Sequence, residues 1–84
     1  MRDIDQLLAA LQRRHPGLRA ERRPATQADE IWLISLPSTP FAVQLESSSG
    51  NCPFMIESSR NRERVHAASV GEAINLVSNL LESD

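Results

Sequence analysis

Three successive stretches between residues 31 and 58 alternate their side chains with a period of two, which is the spacing of a β-strand. Both faces are apolar in the first stretch, IWLISL (31–36), as is typical of a central strand. One face is apolar and the other is mixed in FAVQLE (41–46) and PFMIES (53–58). Polar turns separate the three stretches, so we predict an antiparallel meander.

An amphipathic helix is predicted on each side of this meander. The first covers residues 4–14, with Asp3 as its candidate cap and with Ile4, Leu7, Leu8 and Leu11 on one stripe. The second begins at a capping box formed by Ser69 and Glu72. Its apolar stripe runs for three turns through Val70, Ala73, Ile74, Val77, Leu80 and Leu81.

These elements predict one α+β domain over residues 1–84, because a chain this short has material for only one core. Residues 18–23 alternate weakly and are at most an edge strand. We therefore expect a two-layer sandwich, with a three- to four-stranded antiparallel sheet and both helices on one face, in the order α-β-β-β-β-α or α-β-β-β-α. Trp32 is expected at the centre of the core, beneath the helices.

The single cysteine, Cys52, is interpreted as structural. Gly50 and Asn51 precede it as turn formers, and a free cysteine packs like a small hydrophobic residue. A nucleophilic cysteine needs a nearby base, and neither His15 nor His66 lies at a spacing that indicates one. No metal-ligand spacing, phosphate-binding glycine loop or serine-nucleophile motif occurs either. We expect a non-enzymatic protein with no catalytic residue, metal or cofactor.

Composition suggests where the protein works. One cysteine cannot form an internal disulfide, and no apolar run reaches the about 20 residues that a membrane helix needs. We therefore expect a cytoplasmic protein with no membrane partner. Every basic residue is arginine, which suggests a GC-rich bacterial genome.

All of the arginines except Arg2 fall into two segments, 13–23 and 60–64, that could form one phosphate-binding patch. The candidate nucleic-acid-binding residues are Arg13, Arg14, Arg22, Arg23, Arg60, Arg62 and Arg64. The order helix, three strands, helix also resembles that of double-stranded-RNA-binding domains. Those domains carry lysines at the start of the second helix, where this chain reads SVGE (69–72), so their RNA-binding residues are not carried over. A solvated arginine rim is the favoured interpretation.

The sheet face turned away from the helices is the other candidate site. An apolar centre with a mostly acidic rim is typical of a partner surface. The candidate protein-binding residues are Ile31, Leu33, Ala42, Met55, Glu46 and Glu57. An equally weighted alternative is that residues 18–30, or a further strand, fold back over this face.

The sequence therefore favours a small protein-binding domain that acts through its open sheet face and acidic edge, as an immunity-like or chaperone-like adaptor. Its partner is a protein of unknown identity, and a homodimer is compatible with this view. The alternative is an arginine-dependent nucleic-acid-binding domain. An enzyme that uses Cys52 is a distant third.

Overall fold

The computed structural model describes residues 2–23, 29–60 and 63–82. The elements follow the order α1 (Asp3–Arg14), β1 (Arg19–Arg23), β2 (Asp29–Ser35), β3 (Ala42–Ser48), β4 (Phe54–Ser58), β5 (Arg64–Ala67) and α2 (Val70–Glu82). Each strand pairs antiparallel with the next, which gives one five-stranded sheet in the order β1-β2-β3-β4-β5. The α+β prediction is confirmed, with five strands where three to four were expected. Neither described helix is long and apolar enough to cross a membrane.

The sheet is larger than predicted because both of its edge strands have weak sequence signals. β1 is the edge strand that residues 18–23 indicated. β5 was missed, because only Val65 and Ala67 alternate with polar neighbours and four residues make too short a pattern. Its formation depends on pairing with β4, where Phe54 lies opposite Ala67 and Ile56 lies opposite Val65.

One face of the sheet holds the core. Ile34 pairs with Val43 and Leu45 pairs with Ile56, so these side chains share a face. The helices add the remaining large buried residues, which are Ile4, Leu7 and Leu11 from α1 and Val77 and Leu81 from α2. Every apolar strand residue that is buried lies on this face. Both helices therefore pack on one side of the sheet, as the sequence predicted.

The two helices run in the same direction, side by side. The first turn of α1 meets the turn between β3 and β4, where the Ile4 amide donates to the Gly50 carbonyl at 2.9 Å. Near its other end, His15 Nε2 lies 3.1 Å from Oγ of Ser78, which is fully buried in the second half of α2. Ser69 caps α2 as the sequence predicted, because the Glu72 amide donates to Ser69 Oγ at 3.2 Å.

Trp32 is on the predicted face but is not the centre of the core. Its side chain is half-buried, whereas Phe54 is fully buried and is the largest such side chain. The reason is its neighbours, since Arg22 lies opposite it on β1 and Glu30 precedes it on the same face. The indole Nε1 donates to Glu30 Oε1 at 3.3 Å. The indole thus lies at the polar margin of the core.

Asp3 does not cap α1 as predicted, because it is the first helical residue. Instead, its amide donates to Asn51 Oδ1 at 3.0 Å, and the next amide donates to the Gly50 carbonyl. The Asp3 carboxylate in turn accepts from the Cys52 amide at 2.9 Å. The β3–β4 turn therefore accepts hydrogen bonds from the first amides of α1, and Asp3 of α1 accepts one from an amide that follows the turn.

We predict that Phe54→Ala destabilises the protein more than Trp32→Ala does. Removing a fully buried phenylalanine leaves a cavity and should cost about 3–5 kcal/mol, whereas truncation of the half-buried indole should cost less. Urea unfolding followed by circular dichroism measures both, since Trp32 is the only tryptophan and its fluorescence is lost in one variant. An equal or larger cost for Trp32→Ala would contradict this description of the core.

We also predict that Gly50→Ala destabilises the protein by about 1–3 kcal/mol. Gly50 has φ of +80°, and a Cβ there would lie 2.7 Å from Arg2 Nη1 and 2.9 Å from Glu30 Oε2. The matched control is Gly71→Ala in α2, where no atom lies within 4 Å of the added carbon. That change should be neutral or stabilising by about 0.5–1 kcal/mol. If Gly50→Ala and Gly71→Ala changed the denaturation midpoint equally, the close packing around Gly50 would be contradicted.

Candidate protein-binding face

The open face is the sheet surface opposite the helices. Its centre comprises two rows of strand neighbours. In one row Glu46 lies between Ile31 and Met55, and in the other Gln44 lies between Leu33 and Glu57. The structure thus brings together all the candidate protein-binding residues, with Ala42 further along β3. Each of the six is half-buried.

The described part of the chain leaves this face uncovered. None of the strand residues on this side is buried, and both helices pack on the other face. Residues 19–23 and 29–30, which could have folded back over the patch, instead belong to β1 and β2. Residues 24–28 lie outside the described residues, so the alternative that residues 18–30 cover the face is wrong for the described part of that segment.

A groove of about 320 Å³ lies at one end of the open face, beside the β3–β4 turn. Glu46, Met55 and His66 line it as neighbours on three adjacent strands, and Asp29 and Ser48 form the next pair outward. Pro53, Ser47 and Phe54 complete the lining. The groove therefore combines the apolar side chain of Met55 with two carboxylates.

Charge is distributed unevenly over the open face. Away from the groove, Glu57 accepts from Arg64 Nε at 2.7 Å, and the same guanidinium lies 3.4 Å from the sulfur of Met55. In contrast, Asp29 and Glu46 make no ion pair with any residue that the structure describes. The rim is thus acidic at the groove and neutralised beside β5, and along β1 its outward residues are two arginines and one glutamate. The mostly acidic rim that the sequence indicated is therefore limited to the groove.

A buried carboxylate lies on the helix side of the same end of the sheet. Glu30 is 5% exposed, pairs with Arg2 and lies 3.9 Å from the Arg22 guanidinium. The hydrogen bond to Glu30 raises the pKa of Arg2. The sequence analysis did not single out Glu30. Only its position two residues before Trp32, on the same face of the strand, could have indicated this role. Because its partners are the chain's own side chains, this cluster is structural.

The candidate nucleic-acid-binding arginines on β1 and β5 do not meet in one patch. Arg22 and Arg23 lie on β1 and Arg64 lies on β5, the opposite edges of the sheet, about 19 Å apart at four strand spacings. The last turn of α1 exposes Arg13 and Arg14 in the helical layer.

Several of these arginines already have partners within the chain. Arg23 pairs with Glu21 at 3.3 Å, and the Arg60 guanidinium lies 5.7 Å from the centre of the Phe41 ring. Arg62 lies outside the described residues.

The environment of Cys52 disfavours a reactive thiolate. Burial raises the pKa of the Cys52 thiol, and the hydrogen bond and charge of Asp3 raise it further. A catalytic cysteine requires the opposite shift. In the described parts of the chain, no three histidine, cysteine or carboxylate side chains lie close enough together to hold a metal ion.

No family model, no curated protein and no solved structure is significantly similar to this chain. The geometry of the open face is therefore the main indication of function.

We predict that Cys52 titrates above the ordinary range of a cysteine and that Asp3→Asn lowers its pKa. The asparagine can still accept from the Cys52 amide but lacks the charge that disfavours the thiolate. The pH dependence of iodoacetamide alkylation, followed by mass spectrometry, gives the midpoint. Asp5→Asn is the matched control, because Asp5 lies in the same helical turn and does not act on Cys52. A wild-type midpoint below the ordinary cysteine value would contradict the structural role.

Proposed function

We propose that this chain is a small, non-enzymatic protein-binding domain that acts through the open face. The observation that supports this proposal is a group of partly exposed apolar side chains, Ile31, Leu33 and Met55, on the sheet face opposite the buried core. They lie on the two strands that flank β3, whose Gln44 and Glu46 form the polar middle of the face. Apolar side chains grouped within a polar rim are typical of interaction surfaces. Covering them with a partner would remove apolar area from water and favour association.

The acidic groove supports the same proposal, because its carboxylates can attract a positively charged group of a partner beside the exposed apolar side chains. A cytoplasmic adaptor of the immunity or chaperone kind needs such a surface, since it must recognise a partner without performing chemistry on it. The separation of the arginines between two sheet edges favours this proposal over a nucleic-acid-binding domain, which needs a continuous basic surface.

We predict that Leu33→Glu and Met55→Glu each abolish retention of a partner in quantitative pull-downs from the source cell. A carboxylate at either position would be desolvated beneath the partner. Both side chains are partly exposed on the open face, so the fold should tolerate the changes, and circular dichroism checks this. The control is Gln12→Glu, which adds the same charge to an exposed position on α1.

The proposal requires a partner that the wild type and Gln12→Glu retain and that both sheet-face variants lose. Retention of the same partners by all four proteins would contradict it. Sedimentation of the purified protein over a range of concentrations tests, in addition, whether the partner is a second copy.

A further inference from the structure

We propose that the partner presents a basic amphipathic helix to the open face. Its apolar stripe covers Ile31, Leu33 and Met55, and a lysine or arginine within that stripe enters the groove beside Glu46 and Asp29. This inference rests on the proposed protein-binding function and adds the chemistry of the partner.

The position of Glu46 requires a cation in the partner. β3 is the middle strand of the sheet, and Glu46 lies on it between Ile31 and Met55, so a partner that covers these apolar residues also covers this carboxylate. No ion pair in the described part of the chain compensates its charge. A purely apolar partner would therefore desolvate an unpaired charge, which opposes binding. A lysine or arginine between apolar residues would compensate it.

The same geometry disfavours a second copy of this chain as the occupant. A two-fold contact places the same patch of both molecules together, and Gln44 and Glu46 are the outward residues at the centre of the sheet. Face-to-face packing would bring two Glu46 carboxylates together with no cation between them. Of the outward arginines, Arg23 and Arg64 are already paired with Glu21 and Glu57. Arg19 lies opposite Ser35, at the end of β2 that pairs with Ala42 and not with Glu46.

A helix suits the open face better than an extended strand. Strands bind through the hydrogen-bonding edges of sheets, whereas helices pack on their faces. On β1, the outward side chains Arg19, Glu21 and Arg23 are all exposed and charged, which discourages strand addition at that edge. The groove of about 320 Å³ can accept one long basic side chain from a helix lying over the strands.

Two synthetic peptides test the inference. Each is a helix of about 18 residues, or roughly 27 Å, with leucines on one stripe. One peptide carries a single arginine within the stripe, and its companion carries glutamate there. We expect the arginine peptide to bind at least about tenfold more tightly, because the glutamate meets Glu46 and Asp29. Amide chemical-shift changes in NMR titrations should map to Ile31, Glu46 and Met55.

Charge-neutral variants give the matched comparison. Glu46→Gln and Asp29→Asn should each weaken binding of the arginine peptide by about threefold to tenfold. Glu82→Gln removes one exposed carboxylate from α2 and should leave the affinity unchanged. An equal loss in all three variants would indicate attraction by net charge alone and would overturn the inference.

The remaining outcomes separate this inference from the proposed function. If both peptides bind equally and the shifts map to the open face, the protein-binding proposal stands and the requirement for a cation is wrong. If neither peptide binds while a partner is still lost in Leu33→Glu and Met55→Glu, the helix is the wrong occupant. If the wild-type protein dimerises through this face, the occupant is a second copy and the inference is wrong. If neither peptide binds and both Leu33→Glu and Met55→Glu retain every partner, the proposed function is overturned as well.

Discussion

The packing of two helices against one face of the sheet is the contact on which the rest of the structure depends. Five strands span about 19 Å between the outer two, and two parallel helices at about 10 Å each cover that width. Phe54, Leu45 and Ile56 are fully buried beneath them. The two described helices are therefore sufficient for one face only, and the second face is left to water or to a partner.

Polar contacts at both ends of α1 fix its position, one set to the sheet and the other to α2. At one end, backbone groups of Gly50 and Cys52 and the side chain of Asn51 bond the first helical residues, and the buried Glu30 pairs with Arg2 nearby. At the other end, His15 bonds the buried Ser78 of α2. The contacts of Glu30 and Ser78 satisfy buried polar groups that would be costly to leave without a partner, so they specify the arrangement more than they drive folding.

The centre of the open face has two opposing properties. Ile31, Leu33 and Met55 favour association, whereas Glu46 between them disfavours any partner without a cation. A carboxylate at this position also limits self-association of an exposed sheet, because identical copies would bring like charges together. In the interaction that we propose, the same residue keeps the free protein from associating with itself and selects a basic partner.

The sequence by itself determined the fold class, the two helices, the three inner strands and the side of the sheet that they bury, because these depend on local periodicity and capping. Only the tertiary structure decided the rest. β5 forms by pairing with β4, Trp32 lies at the margin because Arg22 and Glu30 surround it, and the arginines separate because β1 and β5 are opposite edges. Such features depend on contacts between residues far apart in the chain, and no local pattern records them.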